Sequence, residues 1–194
     1  MLDKNRFALK EWAVIVRELG EGRQIVLLRK GGILEQQDGF TVAHREFFHF
    51  PTYAHQKEED LVPDARPRLA EALRASPPPG ELWLHYYAVA EEVVHLTAIE
   101  PSKALDGLHA LGWPSVERRF GYRRPGLHLL ALRVYRLPKP IVVPATPRYD
   151  GCLSWVDLDE EQPIAGAEPV LNDAEFTARI EYVRGLLAGP RGIS

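Results

Sequence analysis

Strand-length apolar runs bounded by glycine and proline recur along this chain with no regular helix between consecutive ones. That pattern restricts the fold more than any single motif. Trp12 to Leu19 and Gln24 to Arg29, separated by Gly20-Glu21-Gly22-Arg23, read as a hairpin. Gly31-Gly32 ends its second strand; after the Asp38-Gly39 turn, Phe40 to Val42 and Glu46 to Phe50 extend a meander as far as Pro51. Leu82 to Val89 resumes strand sequence directly after the stiff Pro77-Pro78-Pro79-Gly80 loop. Val93 to Ile99, Leu127 to Leu137 and Leu153 to Leu158 complete the strand set, with extended structure after Pro138 and an acidic loop from Asp157 to Pro169.

Helical signals fall between these runs. Thr52 is placed to cap a short helix through Gln56, and Arg66 to Ala75 carries Pro67 in its first turn. Pro101-Ser102 opens a helix ending at Gly112, and a second runs from Pro114 to Phe120. Asn172-Asp173-Ala174-Glu175 is a capping box for a C-terminal helix whose Phe176, Ile180, Val183 and Leu187 form one apolar stripe, stopped by Gly189-Pro190. Without βαβ alternation the expectation is an α+β fold, a largely antiparallel sheet with flanking helices and a C-terminal helix. A chain of 194 residues that is 45% hydrophobic buries one sizeable core. We therefore expect a single domain over 1–194, with a core over 7–158, a linker over 159–170 and the terminal helix over 171–188.

A formal net charge of -3 makes no global case for nucleic acid or membrane, so local clusters must carry any such function. No apolar run is long enough for a membrane span, and the first residues lack a signal-peptide core, which leads us to expect a cytoplasmic protein. Cys152 is the only cysteine, so an internal disulfide is excluded. A lone cysteine before Leu153-Ser154-Trp155 is expected to be buried and unreactive, since a catalytic thiol needs a neighbouring base and a lowered pKa.

The chemistry-bearing residues concentrate in two stretches. Arg29-Lys30-Gly31-Gly32 follows a strand, where two cations and bare backbone N–H groups suit a phosphate or carboxylate; the plainer reading is a strand end with solvated charges. Phe50 to Gln56 adds Tyr53, His55 and Gln56, and with Arg45 these are expected to orient a ligand, Arg29, Lys30, Tyr53 and His55 sharing one cleft. From Arg118 to Arg148 there are eight basic residues and no acidic one. Within it Arg118, Arg119, Arg123 and Arg124 flank Phe120 and Tyr122, a mixture suited to phosphate contact and base stacking on single-stranded nucleic acid. Phe120 is expected in the core, which leaves Tyr122 for stacking; the plainer reading pairs Arg133 and Arg136 with the acidic segment Asp157 to Glu161.

Other chemistries lack their residues. The strand end resembles that of Nudix pyrophosphate hydrolases, but no Arg-Glu-x-x-Glu-Glu helix follows. His44, Glu46, His49 and His55 match no metal-ligand spacing, so no metal and no cofactor is assigned. A restriction-type nuclease needs Asp/Glu-x-Lys, whereas Glu100-Pro101-Ser102-Lys103 has one residue too many.

Four segments in order, Phe7-Ala8-Leu9-Lys10-Glu11-Trp12-Ala13-Val14, Leu28 to Glu35, Phe50 to Gln56 and Tyr149-Asp150-Gly151-Cys152-Leu153-Ser154-Trp155-Val156, resemble the bacterial domain-of-unknown-function family 1802. The resemblance implies a single-domain fold and transfers no catalytic residue. The leading functional expectation is binding or processing of a phosphate-bearing ligand, nucleic acid first and a phosphorylated small molecule second. The alternatives are a divergent metal-dependent phosphodiesterase or small-molecule hydrolase, and a protein-partner module without ligand.

Overall fold

The computed structural model describes residues 1–30, 42–151 and 153–188. Seven strands of the described residues, β1 (Lys4–Trp12), β2 (Val26–Arg29), β3 (Glu46–Thr52), β4 (Glu81–Leu96), β5 (Leu127–Pro144), β6 (Trp155–Pro163) and β7 (Glu168–Pro169), form one sheet. Its order is β2-β5-β4-β3-β1-β6, with β7 on β5. Among the described residues β1 and β3 pair in parallel and every other pairing is antiparallel. Among the described residues five α-helices complete the α+β fold: α1 (Ala13–Gly20), α2 (Arg66–Arg74), α3 (Glu100–Ala104), α4 (Trp113–Gly121) and α5 (Asp173–Leu187).

Successive residues of a strand point to opposite faces, and here both faces are buried. Leu9, Phe47 and Ala88 belong to the larger core shared with the helices, while their neighbours Ala8, Phe48 and Tyr87 belong to a second core with Leu137, Tyr149 and Val156. The C-terminal helix keeps its expected form: the Asn172 side chain accepts from Glu175 N at 2.9 Å, the Glu175 carboxylate accepts from Asn172 N at 3.1 Å, and Phe176, Ile180 and Val183 are buried.

Several expectations are corrected. The first hairpin is not formed: Ala13–Gly20 is helical, and β2 pairs with β5 instead. Ala13, Val14, Ile15 and Val16 are all buried, and a short run buried on every side has no period to separate helix from strand. The strands read at Leu82 and Val93 are one, β4, ending at Leu96. Only Glu100–Ala104 of the Pro101 to Gly112 helix forms. The acidic loop and linker carry the rest of β6, to Pro163, and β7. Thr52 ends β3 and caps no helix; a turn holds His55 at φ 61°. Arg133 pairs with Asp173 at the start of α5, Arg136 donates to Gly20 O at 3.0 Å, and the cations that meet the acidic segment are Arg6, on Asp157, and Arg148, on Asp157 and Asp159. Gly31-Gly32, Asp38-Gly39, most of Phe40 to Val42, Cys152 and Gly189-Pro190 lie outside the described residues.

Gly20 explains part of the packing of α1. A Cβ there would stand 2.1 Å from Cζ of Tyr86, whose ring has the Arg136 guanidinium 5.8 Å from its centroid. Gly20→Ala must displace that ring, so we expect a loss of about 1–3 kcal/mol in denaturant unfolding. A loss below about 0.5 kcal/mol would show that the ring yields freely.

Candidate functional site

The ends of β1, β2 and β3, the helix α4 and the segment before β6 enclose a cleft of about 550 Å³. Arg29 organises it. Its Nη1 donates to Glu11 Oε2 at 2.7 Å and its Nη2 to Ser154 Oγ at 2.8 Å. Since Arg29 sits on the edge strand β2 and Ser154 directly precedes the opposite edge strand β6, the sheet curls until its two edges face each other at the cleft. Both partners in the ion pair are withdrawn from water, with side chains 11% and 2% exposed.

Among the described residues five cations, Lys10, Arg29, Lys30, Arg118 and Arg119, line the cleft against one carboxylate, Glu11, which Arg29 already neutralises. The two lysines hold backbone. Lys10 donates to Gly151 O at 3.0 Å and also to Tyr149 O; Lys30 donates to Gly126 O at 2.8 Å, Phe120 O at 3.2 Å and Arg124 O, pinning the segment after α4, and burial lowers its pKa. Arg118 pairs with Asp60. Arg119 differs from all four: its guanidinium lies 4.8 Å from the Trp12 ring centroid and makes no hydrogen bond or ion pair among the described residues. Burial pushes its pKa down and Arg29 adds to that, while Glu11 and Asp60 oppose it. An anion entering the cleft would relieve both effects.

The two sequence stretches thus converge, but on different residues than expected. Arg29 and Lys30 share the cleft with Arg118, Arg119 and Tyr122; Tyr122 is 45% exposed, and the Arg123 guanidinium stands 5.2 Å from its ring centroid. Arg124 is exposed on the same segment. Phe120, expected in the core, is half-buried and packs against it. Tyr53 and His55 are not brought to this cleft. β3 runs through Pro51, and the chain then turns under α1, where Tyr53 lines a second pocket and His55 is exposed. Gln56 serves the fold: its Oε1 accepts from Val14 N at 3.1 Å, capping α1, and its Nε2 donates to Thr52 O at 2.9 Å. Arg45 ties β3 to β4 through Ala90 O at 3.0 Å and Glu91 O at 3.2 Å.

Lys10, Glu11, Trp12, Thr52 and Ser154 escaped the sequence reading. The signal was the Lys10-Glu11 pair directly after the apolar Phe7-Ala8-Leu9. The histidines are not gathered for a metal: His44 stacks on Phe7 with centroids 3.5 Å apart, His49 is fully buried, and Glu46 accepts from Tyr87 Oη at 3.0 Å. Among the described residues no group of three or more His, Cys, Asp or Glu is placed to hold a metal ion, and no helix is long and apolar enough to cross a membrane.

His49 has a measurable consequence. Burial lowers its pKa from 6.5 to about 4, partly opposed by Glu11 and assisted by Arg29. The unfolded chain takes up this proton near pH 6.5 and the folded protein only near 4, so His49 destabilises the fold progressively as pH falls across that window. The loss reaches about 3 kcal/mol below pH 4. Equilibrium unfolding at pH 7 and 4.5 should show a smaller acid loss in His49→Phe than in the parent; equal losses would contradict a buried neutral imidazole.

A family model described as a domain of unknown function, DUF1802, matches residues 8–182. No curated protein matches. Among solved structures the chain is similar to ASCH from Zymomonas mobilis, at a TM-score of 0.42 and 11% identity over 90% of this chain and 93% of that one. It is similar also to a serine-to-alanine mutant of that protein, at a TM-score of 0.41 and 11% identity over 94% of this chain and 99% of that one. The family match runs from β1 into α5 and takes in every described residue of the cleft, so the chain belongs to the DUF1802 family.

Proposed function

We propose that the cleft binds a phosphate-bearing ligand, and that this ligand is single-stranded nucleic acid. The observation that carries the reading is Arg119, a half-buried guanidinium facing the cleft with no anionic partner among the described residues. It stands among four further cations, and the one carboxylate that lines the cleft among the described residues is already paired. Tyr122 supplies an exposed ring at the same cleft, and the exposed Arg123 and Arg124 follow it in the chain. Cations that track phosphates beside an aromatic that stacks on any base are what single-strand binding needs. The net charge of -3 belongs to the rest of the molecule and does not oppose a local basic site.

Fluorescence anisotropy with labelled single-stranded RNA and DNA tests this. Two or three phosphate contacts would weaken binding on the order of tenfold between about 50 and about 200 mM salt. No binding at the lower salt would overturn the nucleic-acid reading. A mononucleotide that binds as tightly as the oligonucleotide would assign the cleft to a phosphorylated small molecule, which its volume of about 550 Å³ also fits.

A further inference from the structure

A second pocket, of about 330 Å³, opens between α1, α2, β3 and β4, apart from the cationic cleft and with none of its residues in common. Its walls are aromatic: Tyr53, Trp83, His85 and Tyr86. The β4–β5 ladder breaks between Leu84 and Tyr86, opposite Pro138 and Pro140, which cannot donate, and this break lets the consecutive residues His85 and Tyr86 line the same space. Its two charged lining residues, Arg17 and Glu21, pair with each other at 2.6 Å, and each has a further partner outside the pocket, Glu71 for Arg17 and Arg23 for Glu21. His49 lines the pocket with none of its surface exposed, and neither of its ring nitrogens has a hydrogen-bond partner among the described residues. Buried polar atoms without partners are rare because each costs its lost hydration, so a partner that could reach His49, whether water or ligand, would recover that cost.

We propose that this pocket binds an uncharged, planar heteroaromatic molecule of nucleobase to nucleoside size, which stacks among Tyr53, Trp83 and Tyr86 and exchanges hydrogen bonds with His49. A neutral imidazole offers one N–H donor and one acceptor nitrogen, which matches the edge of a nucleobase. Paired charges at the rim and apolar rings on the walls disfavour a phosphorylated ligand, which separates this pocket from the cationic cleft.

Saturation-transfer NMR with adenosine, guanosine, cytidine and uridine at millimolar concentration, read on the full chain, tests it. At least one nucleoside should receive saturation, and that signal should vanish in His49→Phe, which keeps a ring in the buried volume. Trp83→Ala, at a half-exposed wall, should weaken it at least tenfold and stands as the second variant if His49→Phe does not fold. Arg119→Ala should leave it unchanged, so the outcome is independent of nucleic-acid binding in the cleft. No transfer to any nucleoside would mean that the pocket holds buried water only, and full retention in His49→Phe or in Trp83→Ala would equally overturn the proposal.

Discussion

Arg29→Ala should cost about 3–5 kcal/mol of folding stability, the largest effect expected of any single replacement at the cleft. Glu11 is 3% exposed and bonds to the Arg29 guanidinium at 2.7 Å, and Arg29 also reaches Ser154 beside the opposite sheet edge. Truncating the arginine leaves a carboxylate buried without its counter-ion and removes the contact that joins the two edges. Replacing both partners by apolar residues of similar size, Arg29→Met with Glu11→Leu, should recover most of the loss, because the desolvation cost of the pair disappears with its attraction. Urea unfolding of the three proteins decides this. An Arg29→Ala loss under about 1 kcal/mol would mean that the pair is solvated and does not hold the sheet closed.

Tyr122→Ala should lower affinity for single-stranded RNA by about tenfold or more, since stacking of one base on an aromatic ring contributes roughly 1–3 kcal/mol. Stability should stay within about 0.5 kcal/mol of the parent, as the ring is 45% exposed and outside both cores. Anisotropy titration beside a denaturation curve separates the two effects. Affinity unchanged by this substitution would leave the aromatic half of the reading without support.

The elements legible in the sequence are those with their own local signals. The capping box and apolar stripe of α5, Pro67 in the first turn of α2 and Pro114 in that of α4 needed no tertiary information. α1 was read as a strand because its β-branched run is buried on nearly every side, a property conferred by its neighbours. The cleft was half legible. Its cations stood out in two separate stretches, but their meeting depends on the curl of the sheet, and that curl is carried by Glu11, Arg29 and Ser154, residues far apart in sequence. Tyr53, His55 and Gln56 were grouped with them because they follow a strand end, whereas the chain turns there toward α1 and spends Gln56 as its cap.

The most direct test of the cleft as a phosphate site is the salt dependence of oligonucleotide binding, measured side by side for the parent and Arg119→Ala. Arg119 lines the cleft without an anionic partner, so its removal should take away one phosphate contact with little change in the fold. The slope of log affinity against log salt should then become shallower by about 0.7, the value for one contact on a single strand. A slope identical in the two proteins, with affinity unchanged, would contradict the assignment of this cleft.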